Sequence, residues 1–260
     1  MQTPHYVKGH GLLTNKTVLI TAAAGSGIGF AAAKKAAEEG CKHLIISDIH
    51  PQRIEEAVAR IKQETPLQSV FGFSCDVTQQ DQVDELIDYA IRTTGGVDVL
   101  INNAGLGGST KLVEMTDQQW HKVIDVSLTG TMRMMRAILP HMSERQTGVI
   151  INNASVLGWR AQQEQSHYAA AKAGVMALTR CVAMEAAESN VRINAVSPSI
   201  AMHDFLKKSA PETLLKHLSE KEAFGRAAEV WEIANVMMFL ASDYSSYMTG
   251  EVVSVSSQRA

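Results

Sequence analysis

Short apolar runs alternate with longer amphipathic stretches along most of the chain. The apolar runs fall at Thr17–Thr21, His43–Ser47, Val70–Ser74, Val97–Asn102, Gly148–Asn152, Arg192–Val196 and Val252–Val255. They are too short for buried helices and are rich in Val, Ile and Leu, so they read as strands. Between them, apolar positions three and four apart predict helices, among them Ile28–Glu39, Gln79–Thr93 and Tyr168–Ala187. Strands that are apolar without strict alternation are covered on both faces. Strand and helix in alternation give parallel neighbours joined by right-handed crossovers. The pattern predicts a single-domain α/β fold: a doubly wound sheet of seven mainly parallel strands with helices on both faces. One long interval, Ser197–Arg226, breaks the alternation between the sixth and seventh strands and carries a polar amphipathic section, Pro211–Glu222. At the end of a strand, such an insertion is expected to form a flap over a site, about residues 198–226, and not a linker.

Composition narrows the function classes without changing that picture. The chain has 260 residues, of which 45% are hydrophobic, enough for one continuous core over residues 1–260. A net charge of −3 gives no attraction to polyanions, so neither nucleic acid nor a membrane surface is an expected partner; a small molecule is. Cys41, Cys75 and Cys181 lack the paired spacing of a metal site or disulfide framework, so no metal is expected and a reducing cytoplasm fits. Met1–Lys16 has no apolar leader core, and no apolar run reaches membrane-spanning length.

Chemistry enters at the carboxyl ends of the strands. The first strand runs into Thr21-Ala-Ala-Ala-Gly25-Ser26-Gly27-Ile28-Gly29 and an alanine-rich helix. Glycines there let backbone approach a ligand closely, and the first N–H groups of the helix suit a pyrophosphate, which makes the fold Rossmann-type. Phe30 stands where the last glycine of the dinucleotide fingerprint would be, so the motif alone reads equally as a tight turn. Asp48 ends the second strand, 19 residues after Gly29, where a carboxylate accepts from both ribose hydroxyls and repels a 2′-phosphate. That favours NAD over NADP, although the nearby Arg53 keeps NADP open. Asp76 and Val77 follow the third strand, and Asn103-Ala104-Gly105 follow the fourth. Further on, Ser155 precedes Tyr168-Ala-Ala-Ala-Lys172, in which a phenol and an ammonium share one helix face. A cation beside a tyrosine favours the phenolate and draws its pKa toward neutrality, the requirement for a proton-transferring group.

In this order, Gly25-Ser26-Gly27-Ile28-Gly29, Cys75-Asp76-Val77, Asn102-Asn103-Ala104-Gly105, Ser155, Tyr168 with Lys172, and Asn194-Ala195-Val196-Ser197-Pro198 resemble the short-chain dehydrogenase/reductase family from Lys16 to Val255. The resemblance implies catalytic Ser155, Tyr168 and Lys172, with Lys172 also on the nicotinamide ribose. It also implies cofactor contacts from Gly25, Ser26, Gly27, Ile28, Asp48, Asp76, Val77, Asn103, Ala104, Gly105, Tyr168, Lys172, Pro198, Ile200 and Ala201. A homotetramer or homodimer built on the helices Asp117–Arg136 and Tyr168–Ala187 follows on the same ground.

Four departures stand out. Ala22 and Ala23 replace the early glycine of the turn, which reads one residue longer. Ser127 occupies the place of the family's relay asparagine, and a hydroxyl offers fewer hydrogen-bonding groups than an amide. His203 stands near the position of a threonine expected beside the carboxamide, where it is a candidate cofactor or substrate contact or simply a surface residue. Ser256-Ser257-Gln258 replaces Asp-Gly-Gly. The Ala22-Ala-Ala-Gly25 turn, Ser197-Pro-Ser-Ile-Ala201 and the Val255-Ser-Ser-Gln258 tail together resemble a subgroup of bacterial steroid-ring degradation that acts on a hydroxy-hydrindane propanoyl-coenzyme A thioester. The expected reaction is therefore interconversion of a ring hydroxyl and a ketone. A 3-oxoacyl thioester reductase and a non-catalytic dinucleotide sensor are the alternatives. Trp159, Arg160 and Leu106–Ser109 flank the expected chemistry. In the flap, Phe205, Leu206, Leu214, Leu215, Leu218 and Phe224 line a pocket or pack inward, and cations such as Lys207 and Lys208 are nearly balanced by acids.

Overall fold

A computed structural model describes residues 2–209 and 212–257; Pro211 and Gln258 lie outside the described residues. The strands are β1 (Thr17–Thr21), β2 (His43–Asp48), β3 (Val70–Ser74), β4 (Val99–Asn102), β5 (Gly148–Asn153), β6 (Val191–Pro198), β7 (Ala201–Met202), β8 (Ala228–Glu229) and β9 (Val252–Val255). The helices are α1 (Ile28–Glu38), α2 (Pro51–Glu64), α3 (Gln80–Thr94), α4 (Asp117–Ile124), α5 (Gly130–Glu144), α6 (Ser166–Ala186), α7 (Asp204–Ser209), α8 (Glu212–Lys221) and α9 (Val230–Ala241).

Seven strands form one sheet in the order β3-β2-β1-β4-β5-β6-β9, and every pairing in it is parallel. The two-residue strands β7 and β8, not foreseen from sequence, form a separate parallel pair at the root of the flap. Strand periodicity divides the core into two layers. Val18, Ile20, Leu44, Ile46, Val99 and Ile101 face the layer that holds α1, α2 and α9. Leu19, Ile45 and Leu100, one residue out of phase, face the layer of α3, α5 and α6. Each of these side chains is fully buried and contributes roughly 1.5–3 kcal/mol, so a charge at any of them would break the sheet from one side.

From β1 the chain winds outward through β2 and β3, then returns to place β4 on the other side of β1. The connections after β1 and β4 therefore diverge, leaving a crevice at the carboxyl edge where such sheets bind ligands. The long helix expected over Asp117–Arg136 is interrupted by a π-helical turn at Asp125–Thr129 and continues as α5 to Glu144. Gly130 packs there beneath Val77, whose methyl would lie 2.7 Å from any Cβ at that position.

Candidate active site

The turn after β1 is held from below by the end of β4. Thr21 Oγ1 accepts from the N–H groups of Asn103 and Ala104, each at 3.0 Å. The Asn103 amide donates back to the carbonyls of Thr21 (3.2 Å) and Ala22 (3.1 Å). Ala22 takes a left-handed conformation, φ 51°, where the missing glycine would have been at ease. Gly29 is packed so closely that a Cβ would lie 2.3 Å from Ala22 O and 2.4 Å from the Asn103 amide. At Gly25 a Cβ would meet Gly27 N, at 4.0 Å, and at Gly27 its three nearest atoms are those of the His203 ring. Gly25 and Gly27 thus leave a shallow cradle at the start of α1. No side chain caps the helix, and no acid occupies its first turn. That cradle fits the pyrophosphate of a dinucleotide.

The other expected cofactor residues line the same edge. Asp48, half-buried at the end of β2, accepts from Ala24 N at 3.4 Å and His50 N at 3.3 Å, which sets its carboxylate beside the glycine turn. Asp76 is braced by the Thr78 N–H and hydroxyl and by Gln82, and Val77 is buried against Gly130. Pro198 pairs with Val255 at the end of β6, the carbonyl of Ile200 accepts from Ala228 N, and Ala201 belongs to β7. Gly105 lies next to the lysine: a Cβ there would be 3.3 Å from Lys172 Nζ. Ser26 and Ile28, half-buried, complete the rim of the cradle.

Ser155, Tyr168 and Lys172 converge on this edge. Ser155 opens the single 3₁₀ turn Val156–Gly158, its Oγ accepting from Leu157 N at 3.2 Å, and the Tyr168 hydroxyl hydrogen-bonds to it. Lys172, one turn along α6 and 3% exposed, donates to the carbonyl of Asn153 at 2.6 Å, with Nζ 5.6 Å from the Tyr168 ring centroid. The electrostatics differ from the expectation that Lys172 draws the phenol pKa down. Burial raises Tyr168 above its ordinary value, and the Ser155 hydrogen bond only partly opposes it. The same loss of water pushes Lys172 down to about 8. Near neutrality the phenol keeps its proton, poised as a donor toward a carbonyl oxygen.

Asn153 was not singled out in the sequence, although a signal was present. Ile-Asn-Asn-Ala occurs twice, at Ile101–Ala104 and Ile151–Ala154. Parallel register places the two copies side by side, with Asn102 opposite Asn152. Asn102 donates to Asn152 at 2.9 Å, Asn153 donates to Asn103 at 2.9 Å, and Asn152 donates to Thr179 of α6 at 2.9 Å. One amide ladder therefore ties the glycine turn, both strand ends and the lysine-bearing helix together. His167, 2% exposed beside Tyr168, was also missed; its Nε2 would lie 3.0 Å from a Cβ at Gly108. The loops after β4 and β5 are joined near it by Ser109 to Glu164 (2.6 Å) and Gln165 to the Gly108 carbonyl (2.6 Å).

Ser127, fully buried in the π turn, accepts from Leu106 N at 2.9 Å and donates to Leu106 O at 3.0 Å. Its single proton is thus directed at the loop after β4, which it braces. His203 packs on the glycine turn at Gly27. Trp159 is half exposed at the mouth. Leu215 packs inward while Leu214 and Phe224 face solvent; the side chains of Phe205 and Lys208 lie outside the described set.

The family model described as Enoyl-(Acyl carrier protein) reductase matches residues 22–257. The chain is 58% identical, over 98% of its length and 97% of the other's, to the (5R,7aS)-5-hydroxy-7a-methyl-1-oxo-2,3,5,6,7,7a-hexahydro-1H-indene-carboxyl-CoA reductase of Mycobacterium tuberculosis. It is 37% identical to a 3-oxoacyl-acyl-carrier-protein reductase of Thermotoga maritima, over 94% of this chain and 97% of that one. A crystal structure of a short chain dehydrogenase from Mycobacterium smegmatis superposes with a TM-score of 0.89 at 54% identity, covering 100% of this chain and 99% of the other. The chain belongs to the short-chain dehydrogenase/reductase family and is an oxidoreductase that uses a nicotinamide dinucleotide.

Proposed function

We propose that this short-chain dehydrogenase/reductase interconverts a secondary ring hydroxyl and a ketone on a steroid-derived hydrindane carried as a coenzyme A thioester, with NAD preferred over NADP. The observation that carries the chemistry is the meeting of Ser155, Tyr168 and Lys172 beside the glycine cradle. The 58% identical relative named for a hydroxy-hydrindane coenzyme A thioester carries the substrate class. A bound dinucleotide supplies the hydride donor or acceptor. Gly25, Ser26, Gly27 and Ile28 would hold its pyrophosphate, Asp48 its adenosine ribose, Asp76 and Val77 its adenine, and Lys172 its nicotinamide ribose. Asn103, Ala104 and Gly105 would flank it with backbone, and Pro198, Ile200 and Ala201 would close over the carboxamide end.

Ser155 holds the substrate oxygen, and Tyr168 exchanges its proton with that oxygen. In reduction the neutral phenol donates as the carbonyl oxygen gains negative charge. In oxidation the phenol must first lose its proton. Burial opposes that loss, so oxidation is expected to accelerate as pH rises. Lys172 stays charged below about pH 8 and stabilises the phenolate left after reduction. Trp159 and the stitched loops 106–110 and 161–165 would shape the ring pocket.

Two features support an oligomer, a homotetramer or homodimer. An apolar groove between α5 and α6 is lined by Met132, Met135, Leu139, Pro140, Leu178 and Val182, and Ala177 is exposed on α6. The three cysteines are free thiols and no described helix is long and apolar enough to cross a membrane, which fits the cytoplasm. The test is NADH absorbance with the hydrindane thioester, a 3-oxoacyl thioester and free cyclic ketones. Preference for the first is expected. Activity on simple 3-oxoacyl thioesters alone would move the assignment to the second reading, which the 37% identical relative favours. No activity on any would leave a dinucleotide sensor.

A further inference from the structure

We propose that His203 is a phosphate ligand of the dinucleotide site: it reaches from the root of the flap over Gly27 and donates from Nε2 to the pyrophosphate. The inference rests on the dinucleotide reading above and on three observations. First, the three atoms nearest a Cβ built on Gly27 all belong to the His203 ring, Nδ1 at 3.7 Å and Cγ and Cε1 at 3.8 Å. The ring therefore lies against the backbone of the glycine turn. Second, Nδ1 accepts from Leu206 N at 3.3 Å. That bond requires a lone pair on Nδ1, so the ring proton of the neutral form sits on Nε2, the nitrogen able to donate to an anion. Third, the residue is held in place. Ala201 and Met202 pair with Ala228 and Glu229 in register, and Ala228 N donates to the Ile200 carbonyl at 2.9 Å, so the flap enters over the turn along a fixed path.

A side chain at this point does what the glycine turn cannot. The turn offers backbone N–H groups from below, whereas His203 approaches from the flap side and links cofactor binding to the start of α7. Gly27 is the N-cap of α1, so His203 is assigned to the phosphates as a binding residue and not to proton transfer.

The test is calorimetric titration of NADH and of ADP-ribose, which keeps the pyrophosphate but lacks nicotinamide, into wild type, His203→Ala and His203→Gln. Loss of a hydrogen bond to a charged group predicts about 10-fold weaker binding of both ligands to His203→Ala. His203→Gln, which keeps an N–H donor at similar reach, should recover most of the loss. If His203→Ala binds both ligands within twofold of wild type, the assignment falls while the dinucleotide reading stands. Weakening of NADH with unchanged ADP-ribose would move the contact to the nicotinamide and also overturn it. A wild type that binds neither ligand would overturn the dinucleotide reading, and the assignment with it.

Discussion

The floor of the site and its roof are built by different means. The floor, formed by the ends of β1, β4 and β5 with α6, is joined by the Thr21, Asn103, Asn152 and Asn153 bonds between strands and by the Lys172 bond to Asn153. These groups are mostly buried, so each bond lost leaves a polar group without water. The roof, from His203 to Arg226, is fixed chiefly at its ends. At one end β7 pairs with β8. At the other, Glu222, 4% exposed, accepts from the Ser257 N–H (3.2 Å) and hydroxyl (2.8 Å), while Ala223 N donates to Ser257 O at 3.1 Å. Between these anchors Leu215 is buried, but Leu214 and Phe224 face solvent. The difference teaches where precision is needed. On the proposed function, hydride and proton transfer depend on sub-ångström placement and are assigned to the floor. Substrate entry needs a segment that moves, and the roof, which the described residues fix chiefly near its ends, suits it.

The sharpest way to break this division is at the reacting group. Tyr168→Phe keeps the ring but removes the transferable proton, so turnover should fall by about 1,000-fold or more while NADH affinity stays within a few-fold, as stopped-flow and fluorescence titration would read. Retained turnover would place the chemistry elsewhere. Next in size is Asp48→Ala, expected to narrow the NAD over NADP preference in kcat/KM by about 10-fold, because a carboxylate hydrogen-bonded to ribose hydroxyls is lost. An unchanged ratio would remove Asp48 from the ribose. On the roof, Glu222→Ala opens the tail clasp. A rise of about 5-fold in substrate KM with NADH affinity within twofold is expected, whereas an equal loss of both would show that roof and floor are not separate. The smallest effect is on the floor itself. Ala22→Gly relieves a left-handed alanine, worth roughly 1–2 kcal/mol, against the backbone entropy of glycine, roughly 0.5–1 kcal/mol. A melting temperature higher by about 1–3 °C is expected, and a lower one would mean that Ala22 is not strained.

How far the sequence foretold these two regions follows the same division. The strands of the floor were legible because each is a short Val/Ile/Leu run with both faces buried, and β1, β3 and β9 end where the pattern placed them. Ser155, Tyr168 and Lys172 were legible because four residues of helix determine which side chains share a face. Their electrostatics were not. A Tyr-x-x-x-Lys spacing says nothing of the water excluded around it, and here burial raises the phenol and lowers the ammonium. Nor was the amide ladder read, although the repeated Ile-Asn-Asn-Ala announced it, because its meaning depends on β4 and β5 lying in register. The partners of Ser127 were illegible for a related reason: they lie on Leu106, 21 residues away, and Ser127 meets them from the π turn. On the roof, β7 and β8 have two residues each, below any length at which periodicity carries a signal. The Glu222 to Ser257 clasp joins positions 35 residues apart.

The central claim is that the floor carries a hydride between a dinucleotide and a carbinol carbon while Tyr168 carries the proton. A single-turnover reaction of the hydrindane ketone thioester with 4-deuterated NADH, analysed by mass spectrometry, tests it most directly. The account predicts one deuterium on the new carbinol carbon from the wild type, and none from Tyr168→Phe on the same timescale although that variant still binds the nucleotide. An alcohol without deuterium from either 4-position label, or labelled alcohol formed equally fast by both proteins, would contradict it.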